Sequence, residues 1–385
     1  MKLSKIAVLI TATLASTSLT AFAADESKTA LDFNLRYESV DQDNALKDAN
    51  ALTLRTRLTH TTASYNGFTG VVEFEDSRVI AGVDDYNNTN GLNAGVYSVV
   101  ADPETTELDQ AFIQYKKDKF TAKVGRQVIT LDGHRFVGHV GWRQDRQTFN
   151  AATFIYQASD KLSGSYSYIS KRNRIFAEAK DLDSKDHLLN VAYQTSIGKL
   201  VGYAYLLEVD NNTDNGLDTY GVRFTGKKDN FSYAAELATQ SDDATDADTT
   251  YIMLEGGYNF GKVTAKLGFE SLGSDKGVGF STPLATAHKF NGWADQFLGT
   301  PGVGLEDVYV TLATKVLGGG LTVTYHDFSA DEGSADLGSE IDAVYAKGFA
   351  KHYKAGVKLA SYSAGDAGTG KVDTDKIWLF VSATF

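Results

Sequence analysis

The sequence predicts an all-β protein, a transmembrane antiparallel up-and-down β-barrel, and three observations favour this fold class. First, segments of roughly ten residues alternate apolar and polar side chains, as expected when one face of a strand meets lipid and the other meets water. Second, short and long polar connections alternate between these segments. Third, the last alternating segment ends on an aromatic residue, Phe385, which is typical of a barrel strand that ends at a membrane interface.

Residues 1–23 have the composition of a secretory signal peptide. Lys2 and Lys5 form a basic region, residues 6–14 are apolar, and residues 21–23 form a small-x-small cleavage motif. This segment is too short and too weakly apolar to remain as a membrane anchor. The sequence therefore predicts a signal peptide over residues 1–23 and a single outer-membrane β-barrel domain over residues 24–385.

The composition excludes several other classes of protein. The chain has no cysteine, so disulfides, thiolate metal sites and covalent haem attachment are excluded, and no cofactor is expected. After the signal peptide, no apolar run reaches the roughly 18 residues that a spanning helix needs. Three prolines, 36 glycines, 20 tyrosines and 21 phenylalanines suit long uninterrupted strands with aromatic belts.

Eighteen segments show the alternating pattern, and sixteen strands is the alternative count. Residues 31–38 and 263–270 show the pattern most plainly, because every second side chain is apolar. An even strand number with both chain ends beside short connections is the layout of an outer-membrane barrel. The predicted strands are 30–40, 50–62, 67–77, 106–116, 119–127, 146–158, 161–170, 186–195, 199–209, 217–227, 230–240, 249–260, 262–271, 305–315, 320–329, 338–349, 353–363 and 374–385.

The connections between these strands fall into a short set and a long set that alternate along the chain. A soluble β-sandwich has no reason to segregate loop length by end, whereas short periplasmic turns and longer extracellular loops are usual in outer-membrane barrels. The long set comprises residues 41–49, 78–105, 128–145, 171–185, 210–216, 241–248, 272–304, 330–337 and 364–373. The acidic runs 84–90 and 242–248 lack the spacing of an EF-hand, so solvated loop tips are favoured over calcium sites.

Aromatic residues lie beside the short turns, where an interfacial girdle is expected. They are Phe68, Phe120, Phe231, Phe260, Tyr353 and Phe385. The expected partners are outer-membrane lipid and lipopolysaccharide, and the barrel-assembly machinery through the C-terminal strand that ends in Phe385. Taken by itself, the C-terminal segment 376–385 could also be an ordinary terminal strand of a soluble β-protein.

The strand face opposite the apolar one carries charges of both signs. Burying these charges in a dry interior would cost several kcal/mol each unless they were paired, so the lumen holds water or is braced by ion pairs. Eighteen strands enclose a lumen too wide to fill with side chains alone, which favours an aqueous channel. The inward charges are Arg36, Glu38, Arg55, Arg57, Glu73, Glu75, Lys123, Arg223, Glu236, Lys266, Glu270, Asp307, His326, Asp342, Lys354, Lys358 and Lys376.

Arginines concentrate on one strand and around the loop 128–145. A ladder of guanidinium groups would favour anionic solutes. In the alternative interpretation, compatible with the first, these arginines pair with Glu73, Glu75 and Asp132 and brace the wall. The candidate pore-lining or solute-binding residues are Arg36, Arg55, Arg57, Glu73, Glu75, Lys123, Arg126, Arg135, Arg143, Arg146, Arg223 and Lys266.

A motif of about thirty residues lies between Val124 and Ala152. Its distinctive residues are Gly125, Arg126 and Gln127 at a strand end, then Gly133, Arg135, Gly138 and Trp142 in a loop, and Arg146, Phe149 and Asn150 opening the next strand. This pattern resembles the signature of the alginate-export porin family. An acid is common in that family where Asn150 stands here, a departure that would loosen one ion pair.

The resemblance implies an eighteen-stranded outer-membrane barrel with an arginine-rich pore, used for an anionic polysaccharide by the best-known member. It marks Arg126, Arg135, Arg143 and Arg146 as candidate pore or loop-anchoring residues. Because the loops of this chain are shorter and the chain is compact, dedicated alginate secretion does not follow from the resemblance.

The leading functional hypothesis is an outer-membrane porin in a Gram-negative bacterium, for passive diffusion of small hydrophilic solutes, with anionic or saccharide-like solutes favoured. The alternative is a surface receptor or adhesin acting through loops 78–105 and 272–304, the second of which carries four aromatic residues that could fold inward or outward. An outer-membrane hydrolase is the least favoured, because the seven histidines are scattered and no Gly-x-Ser-x-Gly motif occurs. We therefore expect no enzyme activity, no catalytic residue, no metal site and no nucleic-acid partner. The expected oligomeric state is a monomer or a homotrimer.

Overall fold

The computed structural model describes residues 26–385, so the predicted signal peptide lies outside the described residues. Eighteen antiparallel strands form one closed sheet, which confirms the predicted fold class and the count of eighteen over sixteen. The barrel strands are β1 (Lys28–Gln42), β2 (Ala49–Thr61), β3 (Phe68–Asp85), β4 (Thr105–Lys117), β5 (Phe120–Gln127), β6 (Thr148–Gln157), β7 (Leu162–Asn173), β8 (Leu182–Gln194), β9 (Lys199–Leu207), β10 (Leu217–Lys228), β11 (Phe231–Asp242), β12 (Ala247–Asn259), β13 (Val263–Leu272), β16 (Leu305–Val316), β17 (Gly319–Ser329), β18 (Asp336–Phe349), β19 (Tyr353–Ser363) and β20 (Thr374–Thr384).

The first and last strands close the barrel. Asp32 of β1 lies opposite Arg57 of β2 on one side and opposite Thr384 of β20 on the other. Each barrel strand of the described chain therefore has two neighbours. Closure satisfies the backbone hydrogen bonds of every strand, which is the condition for crossing lipid with strands. Two further short strands, β14 (Ser274–Asp275) and β15 (Val278–Gly279), form a ribbon within the connection after β13.

Short and long connections alternate along most of the barrel as predicted, with two corrections. The connections on either side of β2, residues 43–48 and 62–67, are equally long. The acidic run 242–248 is not a long loop, because β11 continues to Asp242 and β12 begins at Ala247. Only residues 243–246 form the turn between them. Strand β3 likewise continues to Asp85, well past its predicted end at residue 77. Strands β3, β11 and β12 are longer than predicted because their backbone pairing continues where the side chains no longer alternate between apolar and polar.

The outer face of the barrel is apolar and the inner face is charged, as the alternating pattern predicts. The exposed fraction is 45% for Leu58, 53% for Phe74 and 62% for Ile113, all of which point outward. Arg36 and Glu75, which point inward, are each only 1% exposed. A surface with this much exposed apolar area is stable only against lipid or another apolar partner.

The six aromatic residues predicted to form an interfacial girdle are all exposed beside short turns. The ring of Phe385 lies 5.1 Å from the ring of His352 and 6.0 Å from that of Tyr353, measured between centroids. These contacts place the last strand against the turn that precedes β19. The aromatic side chains therefore ring the end of the barrel that carries the short turns.

Helical structure within residues 26–385 is limited to three single 3-10 turns, at Asp132–His134, Glu178–Lys180 and Ala287–Lys289. Across these described residues, no helix has the length and apolar character that a membrane crossing requires. Two of these turns lie in the long connections after β5 and β13, and both of these connections fold into the barrel.

Candidate pore constriction

Two long connections occupy the inside of the barrel. We call residues 128–147 the first inner loop and residues 273–304 the second inner loop. They meet where the Gly138 amide donates to the carbonyl of Leu284 over 2.8 Å. Beside this contact, the ring of Phe136 packs against the inward rings of Tyr203 and Tyr251, with centroids 5.4 and 5.2 Å away. The two loops therefore form one layer across the lumen.

The aromatic residues of the second inner loop point inward. Phe280, Trp293 and Phe297 are buried, and the ring centroid of Phe297 lies 4.5 Å from that of Phe328 on β17. Of the two orientations that the sequence left open, constriction or outward binding patch, the structure has the inward one. The burial of these rings supplies apolar contact that holds the loop against the wall.

Arg143, near the end of the first inner loop, contacts three buried carboxylates. Its guanidinium nitrogens lie 2.9 Å from Glu38 of β1, 3.8 Å from Asp102 and 3.2 Å from Asp295 of the second inner loop. The wall, the connection 86–104 and both inner loops therefore share one cation. Buried charges are tolerated only when they are paired in this way, so each partner depends on the others.

Arg36 of β1 extends this cluster. Its guanidinium forms an ion pair with Asp102 and donates a hydrogen bond to the carbonyl of Trp142. Burial alone would raise the pKa of Asp102, but Arg36 and Arg143 hold it below its usual value. Asp102 is therefore ionised at neutral pH and acts as a fixed negative charge beneath the first inner loop.

A second set of ion pairs fixes the end of the first inner loop to β2, β3 and β4. Arg146 Nε lies 2.7 Å from Asp109, and the same guanidinium pairs with Glu73. Arg57 pairs with Glu75. These contacts are the bracing interactions with Glu73 and Glu75 that the sequence offered as one interpretation.

Arg135 fixes the first half of the first inner loop. Its Nε donates to Glu270 of β13 over 2.7 Å, and its Nη2 donates to Asn291 of the second inner loop over 3.1 Å. The expected pairing of an arginine with Asp132 is not present among residues 26–385. Asp132 instead accepts a hydrogen bond from Asn190 and lies 4.0 Å from Lys199 Nζ.

Lys358 of β19 lies among the three tryptophans of the chain. Its Nζ is 4.2 Å from the ring centroid of Trp142, 3.8 Å from that of Trp293 and 5.0 Å from that of Trp378. One of these rings comes from each inner loop and one from strand β20, so cation–π attraction joins both loops to the wall.

His288 of the second inner loop completes this contact. Lys358 Nζ donates to its Nε2 over 2.6 Å, and its Nδ1 lies 2.6 Å from Asp295. Burial, together with the charge of Lys358, lowers the pKa of His288 to about 3. Neutral His288 therefore accepts from the lysine and donates to Asp295. Burial alone would raise the pKa of Asp295, but His288, Lys376 and Arg143 hold it well below its usual range.

Three other cations remain accessible to lumen water, on the side formed by β10 to β13. Lys266 lies 2.9 Å from Glu255, and Arg223 pairs with Glu236. Lys289 of the second inner loop is exposed, and its Nζ donates to the carbonyl of Gly133 over 2.7 Å. Among the described residues, Lys289 has no carboxylate within ion-pair distance.

The surroundings of Lys289 lower its pKa. Enclosure inside the barrel and the positive charges of Arg223 and Lys266 lower the pKa of Lys289 to about 8, although Glu255 opposes the shift. Burial and the nearby Lys289 also lower the pKa of His134 to about 4. His134 is therefore neutral at pH 7, while Arg223, Lys266 and Lys289 carry positive charge at the accessible edge of the two loops.

Residues 26–269, more than half of the chain, match the family model described as alginate export. The chain belongs to the alginate export family. This finding confirms the family that the motif at residues 125–150 resembles. No curated protein matches this alginate export family member at the level of sequence.

Solved structures share the fold of this alginate export family member. OpdK of Pseudomonas aeruginosa, crystallised with vanillate, is 14% identical with a TM-score of 0.73, over 94% of this chain and 100% of that chain. OccAB4 of Acinetobacter baumannii is 17% identical with a TM-score of 0.70, over 94% of this chain and 98% of that chain. OccK9 of P. aeruginosa is 12% identical with a TM-score of 0.72, over 94% of this chain and 99% of that chain. Family and fold together place the protein among the outer-membrane β-barrel channels of Gram-negative bacteria.

Most of the predicted site residues of this alginate export family member fall into two groups. Most are buried in ion pairs that hold the loops, as described for Arg36, Arg57, Glu73, Glu75, Arg135, Arg143 and Arg146, and Arg55 pairs with Asp32 over 2.6 Å. Arg223 and Lys266 instead reach lumen water. Arg126 donates to Asn150 over 3.1 Å, and Lys123 lies 5.4 Å from the ring centroid of Phe112, away from both groups.

Sequence reasoning missed Lys289 and Asp295, although both lie in a loop that it singled out. Lys289 and Asp295 stand among the aromatic residues Phe290, Trp293 and Phe297 of that loop. A charged residue within an apolar loop needs a buried partner or access to water, and this signal could have identified both.

Proposed function

We propose that the protein is a passive channel for small hydrophilic solutes, with a preference for anionic or saccharide-like ones. The observation that carries this proposal is the layer of two inner loops, which leaves Arg223, Lys266 and Lys289 as the water-accessible charges beside it. Fixed charges at a narrowing favour solutes of the opposite sign. Arg223 and Lys266 are paired with Glu236 and Glu255, so Lys289, which has no such partner among the described residues, would contribute most to the preference.

Conductance in planar bilayers tests the proposal directly. The mature protein, purified in detergent, is expected to insert with stepwise conductance increments. Its folding can be checked independently, because a folded barrel migrates differently in SDS before and after boiling. Folded protein that never conducts would contradict the channel function.

Anion selectivity is expected to fall as the pH rises from 7 to 9. Lys289, whose pKa is about 8, is charged below this window and neutral above it, whereas Arg223 stays charged and His134 stays neutral throughout. Reversal potentials in a salt gradient at several pH values measure the effect. In Lys289→Ala, selectivity should be lower at pH 7 and should change little between pH 7 and 9. An unaltered pH profile in this variant would show that Lys289 does not set the selectivity.

Small carboxylates are the solute class that we propose to test first. OpdK, one of the similar structures, was crystallised with vanillate, and that observation concerns OpdK alone. In this chain, the support comes from the cationic edge formed by Arg223, Lys266 and Lys289. Liposome swelling with a carboxylate and with a neutral sugar of similar size would measure the preference, and equal rates would contradict it.

The motif residues shared with the family have a structural role in this proposal. Arg135, Arg143 and Arg146 would anchor the first inner loop, and Arg126 would act through Asn150 at the start of β6. We further propose that residues 24–385 form one barrel domain in contact with lipopolysaccharide. The barrel-assembly machinery would recognise the strand that ends at Phe385, and the protein would work as a monomer or a homotrimer.

The two rival functions gain no support from the structure. A receptor acting through the second inner loop would need its aromatic residues on the surface, and Phe280, Trp293 and Phe297 are buried. A hydrolase would need a nucleophile beside a base. Of the histidines in the two inner loops, His288 contacts Lys358 and Asp295. His134 and His139 lie beside each other, with ring centroids 5.1 Å apart.

A further inference from the structure

Three carboxylates meet where the first inner loop touches strands β3 and β4. Glu75 and Glu107 are directly opposite each other on these two strands, and Asp145 comes from the loop. One carboxylate oxygen of each residue lies within 4.8 Å of those of the other two. Like charges placed directly opposite on neighbouring strands destabilise a sheet, and a third carboxylate adds to the repulsion.

The cations near this cluster do not balance it. Arg57 pairs with Glu75, while Arg126 Nη1 lies 3.9 Å from Glu107. Asp145 has no ion-pair partner among the described residues. The site therefore holds more carboxylates than paired cations among residues 26–385.

Two of the three carboxylates also present unused oxygens. Glu75 and Asp145 are each only 1% exposed, yet Glu75 Oε1 and Asp145 Oδ1 have no hydrogen-bond donor among residues 26–385. The second oxygen of Asp145 accepts from the Ala177 amide over 3.3 Å, which holds the side chain in position. A buried carboxylate oxygen without a donor is unfavourable, and a bound ion would supply the missing partner.

The cluster has the chemistry and the space for a hard cation. All three side chains offer oxygen, which Ca²⁺ prefers at about 2.3–2.6 Å from the ion. The three oxygens lie within 4.8 Å of one another, so small side-chain adjustments would bring all three into contact with one ion. Glu107 also lines an open cavity of about 580 Å³ with Arg126, Asn150 and Glu178. The carboxylate of Glu107 can therefore be reached from open space, which also has room for water ligands.

We propose that Glu75, Glu107 and Asp145 bind one divalent cation, with Ca²⁺ the best match. The ion would join the first inner loop to strands β3 and β4 and neutralise the repulsion between Glu75 and Glu107. It would act beside the Arg146 and Arg57 ion pairs, and so would help to hold the loop in its inward position. This site is separate from the acidic surface turn at residues 242–248.

Calorimetric titration with CaCl2 tests the proposal. The mature chain should be refolded in detergent without lipopolysaccharide, because that lipid binds divalent cations itself, and then freed of metal with EDTA. We expect one saturable site per chain. Asp145→Asn and Glu107→Gln should each weaken binding roughly ten-fold or more, since affinity follows the number of charged ligands. Two variants are used because either could fail to fold, which the SDS mobility shift would show.

Asp246→Asn is the matched control. This variant removes one carboxylate from the exposed acidic turn, where Asp246 pairs only with Lys276, and calcium binding should be unchanged. Absence of a saturable site in the wild type would overturn the proposal. Equal binding by folded Asp145→Asn or Glu107→Gln would also overturn it, as would loss of binding in Asp246→Asn. These outcomes are independent of whether the barrel conducts.

Discussion

Excision of residues 281–299 is expected to raise the single-channel conductance several-fold. These residues form the inward part of the second inner loop, including Trp293 and Phe297. The excised ends can be joined without strain, because Thr300 Oγ1 donates to the carbonyl of Phe280 over 2.6 Å and the two residues are already adjacent. A linker of two glycines would suffice. Removing this layer widens the narrowest part of the lumen, so more ions pass per unit time.

The control for this excision is removal of residues 211–214, an exposed tip between β9 and β10. Its conductance should equal that of the wild type. Both proteins should retain the mobility shift on boiling, which shows that the barrel itself is intact. If conductance stayed unchanged after excision of 281–299, the second inner loop would not be a constriction and the receptor hypothesis would regain support.

Arg143→Ala is expected to destabilise the loop layer by about 3–5 kcal/mol. The substitution leaves Glu38, Asp102 and Asp295 buried close together without the cation that they share. Their repulsion should release both inner loops from β1. We expect larger and noisier single-channel currents, together with faster proteolysis within residues 128–147 and 273–304.

Arg78→Ala is the matched control for Arg143→Ala. Arg78 also pairs with a carboxylate, Asp76, over 2.8 Å, but 46% of its side chain is exposed. Exposed ion pairs contribute about 0–1 kcal/mol, so this variant should behave as the wild type in currents and proteolysis. If the two variants were indistinguishable, the cluster around Arg143 would not be what holds the loops.

The strands were predictable because their signal is local. Residues 31–38 and 263–270 alternate strictly, and both lie in barrel strands, β1 and β13. The strand ends were harder to place, as the extension of β3 to Asp85 shows. Outside the lipid, a strand no longer needs apolar residues on one face, so the sequence pattern ends before the backbone pairing does.

The site was predictable only in part, because its contacts join residues far apart in the chain. The sequence placed Glu38 in the lumen and marked Arg143 as a candidate pore or loop-anchoring residue. It did not show that Arg143 pairs with both Glu38 and Asp295. It also assigned Arg57 and Glu75 to the lumen without showing that the first inner loop covers them. Contact between a loop and a distant strand depends on the path of the loop, and the path has no periodic signal.

The sequence by itself determined that this protein is a barrel with lipid outside and charge inside, since alternation along each strand separates apolar from polar side chains. Only the tertiary structure decided which inward charges are buried braces and which face water. That choice depends on where the two inner loops lie. They bury Arg36, Arg57 and Arg143 among carboxylates, and they leave Arg223, Lys266 and Lys289 at the accessible edge.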